Sequence, residues 1–305
     1  MLIFHPKIMT SPNSDSLYTL TRLAPTPSGY LHLGNIYSFL LTFKIADHYK
    51  ARILLRIDDM DRERVKQEYI QDIFDTLDFM ELPYDLGPKN PKDFENMYSQ
   101  KNRLPLYLDA LETLKKSGNL FACNCSRTKI LEMNPTGEYT GYCRNRKLAF
   151  NRKNMSWRFR VDAQEPISFK DIELGVKTER LPGILADFIV RRKDGLPAYQ
   201  LTSLIDDLYF GVDLIIRGED LLGSTLAQVY LSKHLPQNKF EGTGFFHHKL
   251  LKRDDGLKLS KSAGDTSVQF LRKSGKKKED IFEMIGKWMG LEIPIRNLQD
   301  FLLLV

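Results

Sequence analysis

Several reactive side chains stand in this chain at spacings that suit recognition of a charged small molecule. An arginine and a histidine bracket a Pro- and Gly-rich turn in Arg22-Leu-Ala-Pro-Thr-Pro-Ser-Gly-Tyr-Leu-His32-Leu-Gly34-Asn35. Arg217 ends the apolar run 212–216. A guanidinium there is placed for two-point contact with a carboxylate, and a surface ion pair with Glu219 or Asp220 is the competing reading. Asp58, Asp59 and Asp61 follow the apolar run 52–57. They offer carboxylates to an ammonium group, or else they charge the start of the next helix. Cys123, Cys125 and Cys143 fall in one turn-rich segment. Three cysteines do not pair off, so their clustering is either chance or a metal site, and structural zinc takes four ligands.

The elements that must position these groups follow from periodicity. Residues 17–23 alternate apolar and polar side chains and predict a strand. Pro25, Pro27, Ser28 and Gly29 set a turn. Ile36, Phe39, Leu40 and Phe43 then recur at helical spacing, so a helix begins at about Gly34. Its first turn offers unpaired N–H groups and a positive dipole end, and Gly34 lets an anion approach the backbone. A strand at 52–57 would bring the three aspartates to the same crevice as Arg22 and His32, because ligands sit outside the carboxyl ends of parallel strands. Ile70, Ile73, Phe74 and Leu77 mark a helix, and another runs from the Tyr98–Tyr107 region to about Gly118. Residues 157–183 read as a small β-rich insert. The main sheet is expected to resume at 186–192 and 212–216, and one clear helix, 278–290, lies near the C-terminus.

The 305 residues carry a formal net charge of +6 and a pI near 9.0, which suits a polyanionic partner without requiring one. The basic runs 144–147 and 273–278 are either phosphate contacts or solvated surface. No apolar run has the length of a membrane span, and residues 1–16 lack the apolar core of a secretory signal, so a cytoplasmic protein with a flexible N-terminal extension is expected.

Residues 22–35 resemble the HIGH region of the glutamate-type class I aminoacyl-tRNA synthetases, with His32-Leu33-Gly34-Asn35 as the tetrad. Lys258-Leu-Ser-Lys261-Ser262 resembles that family's KMSKS loop, and the two motifs stand in the family's order. Arg56-Ile-Asp-Asp-Met-Asp61 is similar to the family's Arg-Ile-Glu-Asp-x-Asp and matches Asp58, one methylene shorter, to a Glu that contacts the amino acid. Tyr199 and Arg217 match residues that contact glutamate. Cys-x-Cys followed by Tyr139-Thr-Gly-Tyr-Cys143 resembles a zinc-bearing subfamily whose Tyr completes the site. The resemblance thus implies structural Zn²⁺ on Cys123, Cys125, Tyr139 and Cys143, with Tyr142 or a water as alternatives for the fourth ligand.

What the resemblance implies is an α/β fold: a class I synthetase Rossmann-like parallel sheet, an inserted zinc-bearing and β-rich subdomain, and a short helical tail. The corresponding division is 1–16 extension, 17–120 and 185–262 the halves of the catalytic domain, 121–184 the insert, and 263–305 the tail. The 43 residues after Ser262 are too few for a further helical domain, so no anticodon-binding domain is expected. The implied activity is ATP-dependent formation of glutamyl adenylate with Mg²⁺, then transfer of glutamate to the queuosine base of tRNA(Asp), by a monomer without a membrane partner. Glutamate would be bound by Arg22, Leu23, Ala24, Pro25, Thr26, Asp58, Tyr199 and Arg217. ATP would be bound by His32, Gly34, Asn35, Lys258 and Lys261, with His32 and Lys261 catalytic. The alternatives are a truncated glutamyl-tRNA synthetase charging the 3′ end of tRNA, and a non-catalytic tRNA-binding paralogue.

Overall fold

The computed structural model describes residues 17–236, 239–251 and 267–305. The extension 1–16 and the two loop lysines, Lys258 and Lys261, lie outside the described residues.

The strand β1 (Leu20–Leu23) pairs in parallel with β2 (Arg52–Leu55), and α1 (Leu33–Tyr49) crosses between them. After β2 come α2 (Gln67–Phe79), the short α3 (Pro91–Asp93), a π-helical turn at Phe94–Tyr98 and α4 (Leu104–Lys116). Next are β3 (Leu120–Cys123), α5 (Arg127–Met133), β4 (Ser156–Phe159) and a hairpin of β5 (Ile167–Asp171) and β6 (Gly175–Glu179). The chain continues through β7 (Ile189–Arg191), α6 (Tyr199–Phe210), β8 (Leu214–Gly218), α7 (Leu222–Ser232) and β9 (Gly244–His248), and ends in α8 (Val268–Lys273), α9 (Lys278–Trp288) and α10 (Leu298–Leu304).

β8 and β9 run parallel, with Arg217 opposite His247, and the order of this sheet is β6-β5-β9-β8. Asp213 joins it to the β1–β2 pair: its N–H donates to the Leu20 carbonyl, and its carboxylate accepts the N–H groups of Thr19 and Leu20. β1 and β8 are therefore neighbours from which the chain departs in opposite directions, to β2 on one side and β9 on the other. A crevice opens at the carboxyl ends of such a pair.

Three expectations are corrected. The stretch 186–192 does not resume the main sheet, because β7 pairs antiparallel with β4, which pairs with β3, in a separate three-stranded sheet. Nor does 157–183 form a unit of its own. Ile167, Phe169 and Asp171 alternate into the interior along β5, and that buried face is completed by parallel pairing with β9, Phe169 meeting Phe245 edge-on at 5.8 Å. Strand pairing thus crosses the cut proposed at 184, and the cut proposed at 120 falls within β3. At the C-terminus, the described residues hold three helices rather than one. Ile281, Phe282, Ile285, Ile295 and Phe301 share a core with Leu33, Ile36 and Leu40 of α1. Each such side chain contributes about 1.5–3 kcal/mol on burial, so the tail caps α1 as part of the core. None of the described helices is long and apolar enough to cross a membrane.

Candidate active site

The turn after β1 ends at His32, the N-cap of α1. Its Nδ1 accepts from the Gly34 N–H at 3.0 Å, and its own N–H donates to Asn35 Oδ1 at 3.1 Å, a reciprocal capping box. Because Nδ1 is the acceptor, the neutral ring carries its proton on Nε2. Gly34 is dictated by this arrangement: a Cβ there would lie 2.9 Å from His32 Cε1. The histidine is thereby locked at the mouth of a helix N-terminus, where anions are favoured.

A cavity of about 540 Å³ opens at this point. The stretch Arg22 to Thr26, His32, Gly34, Asn35, Asp58, Tyr199 and Arg217 all line it. Tyr199 stands at its rim, 43% exposed, on the first turn of α6. The acidic cluster, in contrast, is split. Asp58 alone of the three lines the cavity. Asp59 turns away to accept from Ser99 Oγ (2.6 Å) and the Gln100 N–H (2.7 Å), and Asp61 pairs with Arg192 at 2.8 Å.

Three guanidinium groups are buried around this cavity: Arg22 (6% exposed), Arg56 (3%) and Arg217 (3%). Arg56 Nε and Nη2 donate to the two oxygens of Asp58 at 2.8 and 3.0 Å, and its Nη1 reaches Asp207 Oδ1 at 2.7 Å. Arg22 Nε shares that same Asp207 oxygen at 3.2 Å and sends Nη1 to the Ile216 carbonyl. Arg217 has no carboxylate partner among the described residues. Nη1 and Nη2 both donate to the neutral amide oxygen of Gln228 at 3.1 Å, and Nε has no acceptor among the described residues. The surface pairing with Glu219 or Asp220 does not form. Asp206, the neighbour of Asp207, is engaged by Arg103, Tyr107 and Gln100. Among the described residues, three buried cations therefore face two buried carboxylates, and Arg217 is the cation left over.

The ionisation of these groups follows. Burial, with Arg22 nearby, pulls the Arg217 guanidinium down from 12.5 to about 10. Burial pushes Asp58 up to about 6 despite Arg56. Arg56, held between Asp58 and Asp207, is raised despite its burial. His247 is pulled down to about 4 by burial and then by Arg217, so its imidazole is neutral, bonded through Nε2 to Thr225 Oγ1 at 2.7 Å.

Sequence reasoning assigned no role to Arg56, Asp207, Gln228 or Ser203, whose Oγ accepts from Arg56 Nη2 at 3.1 Å. The available signal was polar residues at inward-facing helical positions. Ser203 and Asp207 are one turn apart on α6, and both are buried, as is Gln228 on α7.

The cysteine cluster lies apart from the cavity. The three Sγ atoms are all within 4.8 Å of one another, and Cys125 and Cys143 are 3.7 Å apart. Tetrahedral zinc with Zn–S bonds of about 2.3 Å holds thiolates roughly 3.8 Å apart, so the three donors fit that ion. Tyr139 Oη is 3.5 Å from Cys123 Sγ and accepts the Cys143 N–H at 2.7 Å, whereas Tyr142 is exposed beneath Lys129 and Arg146. Burial opposes ionisation of Cys123, but Tyr139 and Arg158 bring it down to about 7. Burial and the Cys123 charge push Cys125 up to about 12.

Residues 19–300 match the family described as tRNA synthetases class I (E and Q), catalytic domain. The chain belongs to this family. It is 34% identical to glutamate–tRNA ligase 2 of Syntrophus aciditrophicus, over 92% of this chain and 60% of that protein. It is 35% identical to glutamyl-Q tRNA(Asp) synthetase of Symbiobacterium thermophilum, over 88% of this chain and 86% of that one. The chain thus spans about 60% of the length of the first relative. The crystal structure of glutamate–tRNA synthetase from Elizabethkingia anophelis superposes with a TM-score of 0.75 at 24% identity, covering 93% of this chain and 65% of that one. That likeness establishes the class I synthetase fold, with its parallel-sheet core.

Proposed function

We propose that this family member activates glutamate with ATP as glutamyl adenylate and transfers it to a tRNA. The observation that carries the reading is the charge balance of the cavity. Among the described residues, three buried arginines against two buried aspartates leave one positive charge, Asp220 at the cavity wall being exposed to solvent. Zwitterionic glutamate, with two carboxylates and one ammonium, carries one negative charge and closes that balance. Arg217 and Arg22 take the two carboxylates, Asp58 takes the ammonium, and Tyr199 hydrogen-bonds at the rim.

ATP lies against the N-terminus of α1, at His32, Gly34 and Asn35, with Lys258 and Lys261 on its triphosphate. A carboxylate oxygen of glutamate attacks the α-phosphorus, and the bond to pyrophosphate breaks. In-line transfer needs alignment and charge neutralisation rather than a protein nucleophile. Magnesium on the triphosphate would neutralise charge there. Zinc on Cys123, Cys125, Tyr139 and Cys143 braces β3 and the following segment without chemical work.

The acceptor in this reading is the queuosine base of tRNA(Asp). Support comes from the Tyr139–Cys143 pattern and from similarity along 86% of a relative named for that reaction. The test is transfer of labelled glutamate, with ATP, onto bulk tRNA from cells that contain queuosine and cells that lack it. Labelling of tRNA(Asp) from the first pool alone is expected. Equal labelling of tRNA(Glu) from both pools would replace the queuosine reading with 3′-end charging, and absence of glutamate-dependent ATP–pyrophosphate exchange would overturn the activity itself.

A further inference from the structure

Whether Arg217 is open to a ligand is decided by Gln228 on α7. Its side chain is fully buried, and its Oε1 accepts from both terminal nitrogens of Arg217 at 3.1 Å. Such a grip on a guanidinium is ordinarily a carboxylate's. An amide copies part of the geometry without the charge, and it leaves two buried donors, Arg217 Nε and Gln228 Nε2, without acceptors among the described residues. A glutamate of the same size would supply a second acceptor oxygen, remove one orphan donor outright and neutralise the cation. Stability alone would favour that residue, since buried polar groups without partners are costly.

We propose that Gln228 is a positioning and specificity-determining residue. Its amide holds the Arg217 guanidinium in place and withholds a counter-ion, so that a carboxylate of the substrate becomes the counter-ion. This inference rests on the reading of the cavity as a glutamate site. With a glutamate at 228, the three arginines would face three buried carboxylates. Those buried charges would then balance, which would suit an uncharged zwitterion such as glutamine better than glutamate. Gln228 touches neither substrate in this scheme, and acts through Arg217.

The test is calorimetric titration of the full chain, wild type, Gln228→Glu and Gln228→Met, with L-glutamate, L-glutamine and ATP, alongside thermal melts. In Gln228→Glu, glutamate affinity should fall about 100-fold or more, because Arg217 then has a counter-ion of its own. Glutamine affinity should fall less than about tenfold, ATP affinity should be unchanged, and the melting temperature should be equal or higher. In Gln228→Met the cation stays unpaired but loses its orientation, so glutamate affinity should fall only about tenfold, the value of roughly one net hydrogen bond, with the preference over glutamine kept. Equal losses in the two variants, a Gln228→Glu protein that binds glutamate as well as wild type does, or one that melts well below wild type, would each overturn the proposal. A wild type that binds no glutamate would instead overturn the reading of the cavity on which it stands.

Discussion

Replacing Arg217 with methionine should have opposite effects on the fold and on the ligand. The guanidinium is buried without an acidic partner among the described residues. Its fall from 12.5 to about 10 corresponds to roughly 3 kcal/mol by which the surroundings disfavour the cation. Methionine removes that term and keeps most of the packing volume. Against it stands the loss of two hydrogen bonds to Gln228 and a stranded amide oxygen, together about 1–3 kcal/mol. The unliganded variant should therefore be as stable as wild type or up to about 2 kcal/mol more stable, which at this size is a melting temperature unchanged or a few degrees higher. Glutamate binding should move the other way. A substrate carboxylate brought into a dry site without its cation loses about 3–5 kcal/mol, or 100-fold and more in Kd. Differential scanning calorimetry and glutamate titration on the same preparation read both quantities. A variant that melts more than about 5 °C below wild type, with glutamate affinity within threefold, would refute the assignment of Arg217 as an uncompensated substrate cation.

The other groups give further expectations. Asp58 must be ionised to hold an ammonium, and burial raises it to about 6. A raised carboxyl favours the protonated, non-binding form as pH falls, so glutamate Kd should be flat from pH 7 to 8 and rise about tenfold per unit below 6. Titrations from pH 5 to 8 check this, and a Kd that does not change through pH 6 would exclude Asp58 from ammonium binding. Gly34→Ala puts a methyl 2.9 Å from His32 Cε1 and 3.0 Å from its Nδ1. Losing that cap costs about 1 kcal/mol, and ATP–pyrophosphate exchange should fall while calorimetric glutamate affinity holds. An exchange rate equal to wild type would show that the cap geometry is immaterial to ATP. Metal analysis should find about one zinc per chain, and chelation should lower the melting temperature without a direct effect on exchange at low temperature. Metal-free protein with the same melting curve would remove zinc from the cysteine cluster.

Much of this architecture was legible locally. The strand–turn–helix around His32 could be read because Pro25, Pro27 and Gly29 act within a few residues, and because Ile36, Phe39, Leu40 and Phe43 repeat along one helix face. The placement of β7 and of the β5–β6 hairpin was not legible. Short alternating strands state that they need a partner but not which one, and β9, which receives β5, lies more than seventy residues further on. The tail was under-read for a related reason. α10 is seven residues long, and its burial depends on Phe301 meeting the α1 core.

The sequence by itself determined which chemistry was present: a capped helix N-terminus at Gly34, a guanidinium ending a buried strand at Arg217, a carboxylate at Asp58, and three thiols with a tyrosine at close spacing. Only the tertiary structure decided the charge state of the site. Three arginines and several aspartates are compatible with complete neutralisation, and from spacing alone Asp206, Asp207, Asp59 or Asp220 could each have been the partner of Arg217. Folding gives Asp206 to Arg103, Asp59 to the Ser99–Gln100 turn and Asp207 to Arg22 and Arg56, and it sets a neutral amide against Arg217. Those pairings join residues from 11 to 185 positions apart. Ion pairing in a low-dielectric interior depends on contact distance and burial, and neither is encoded by proximity along the chain.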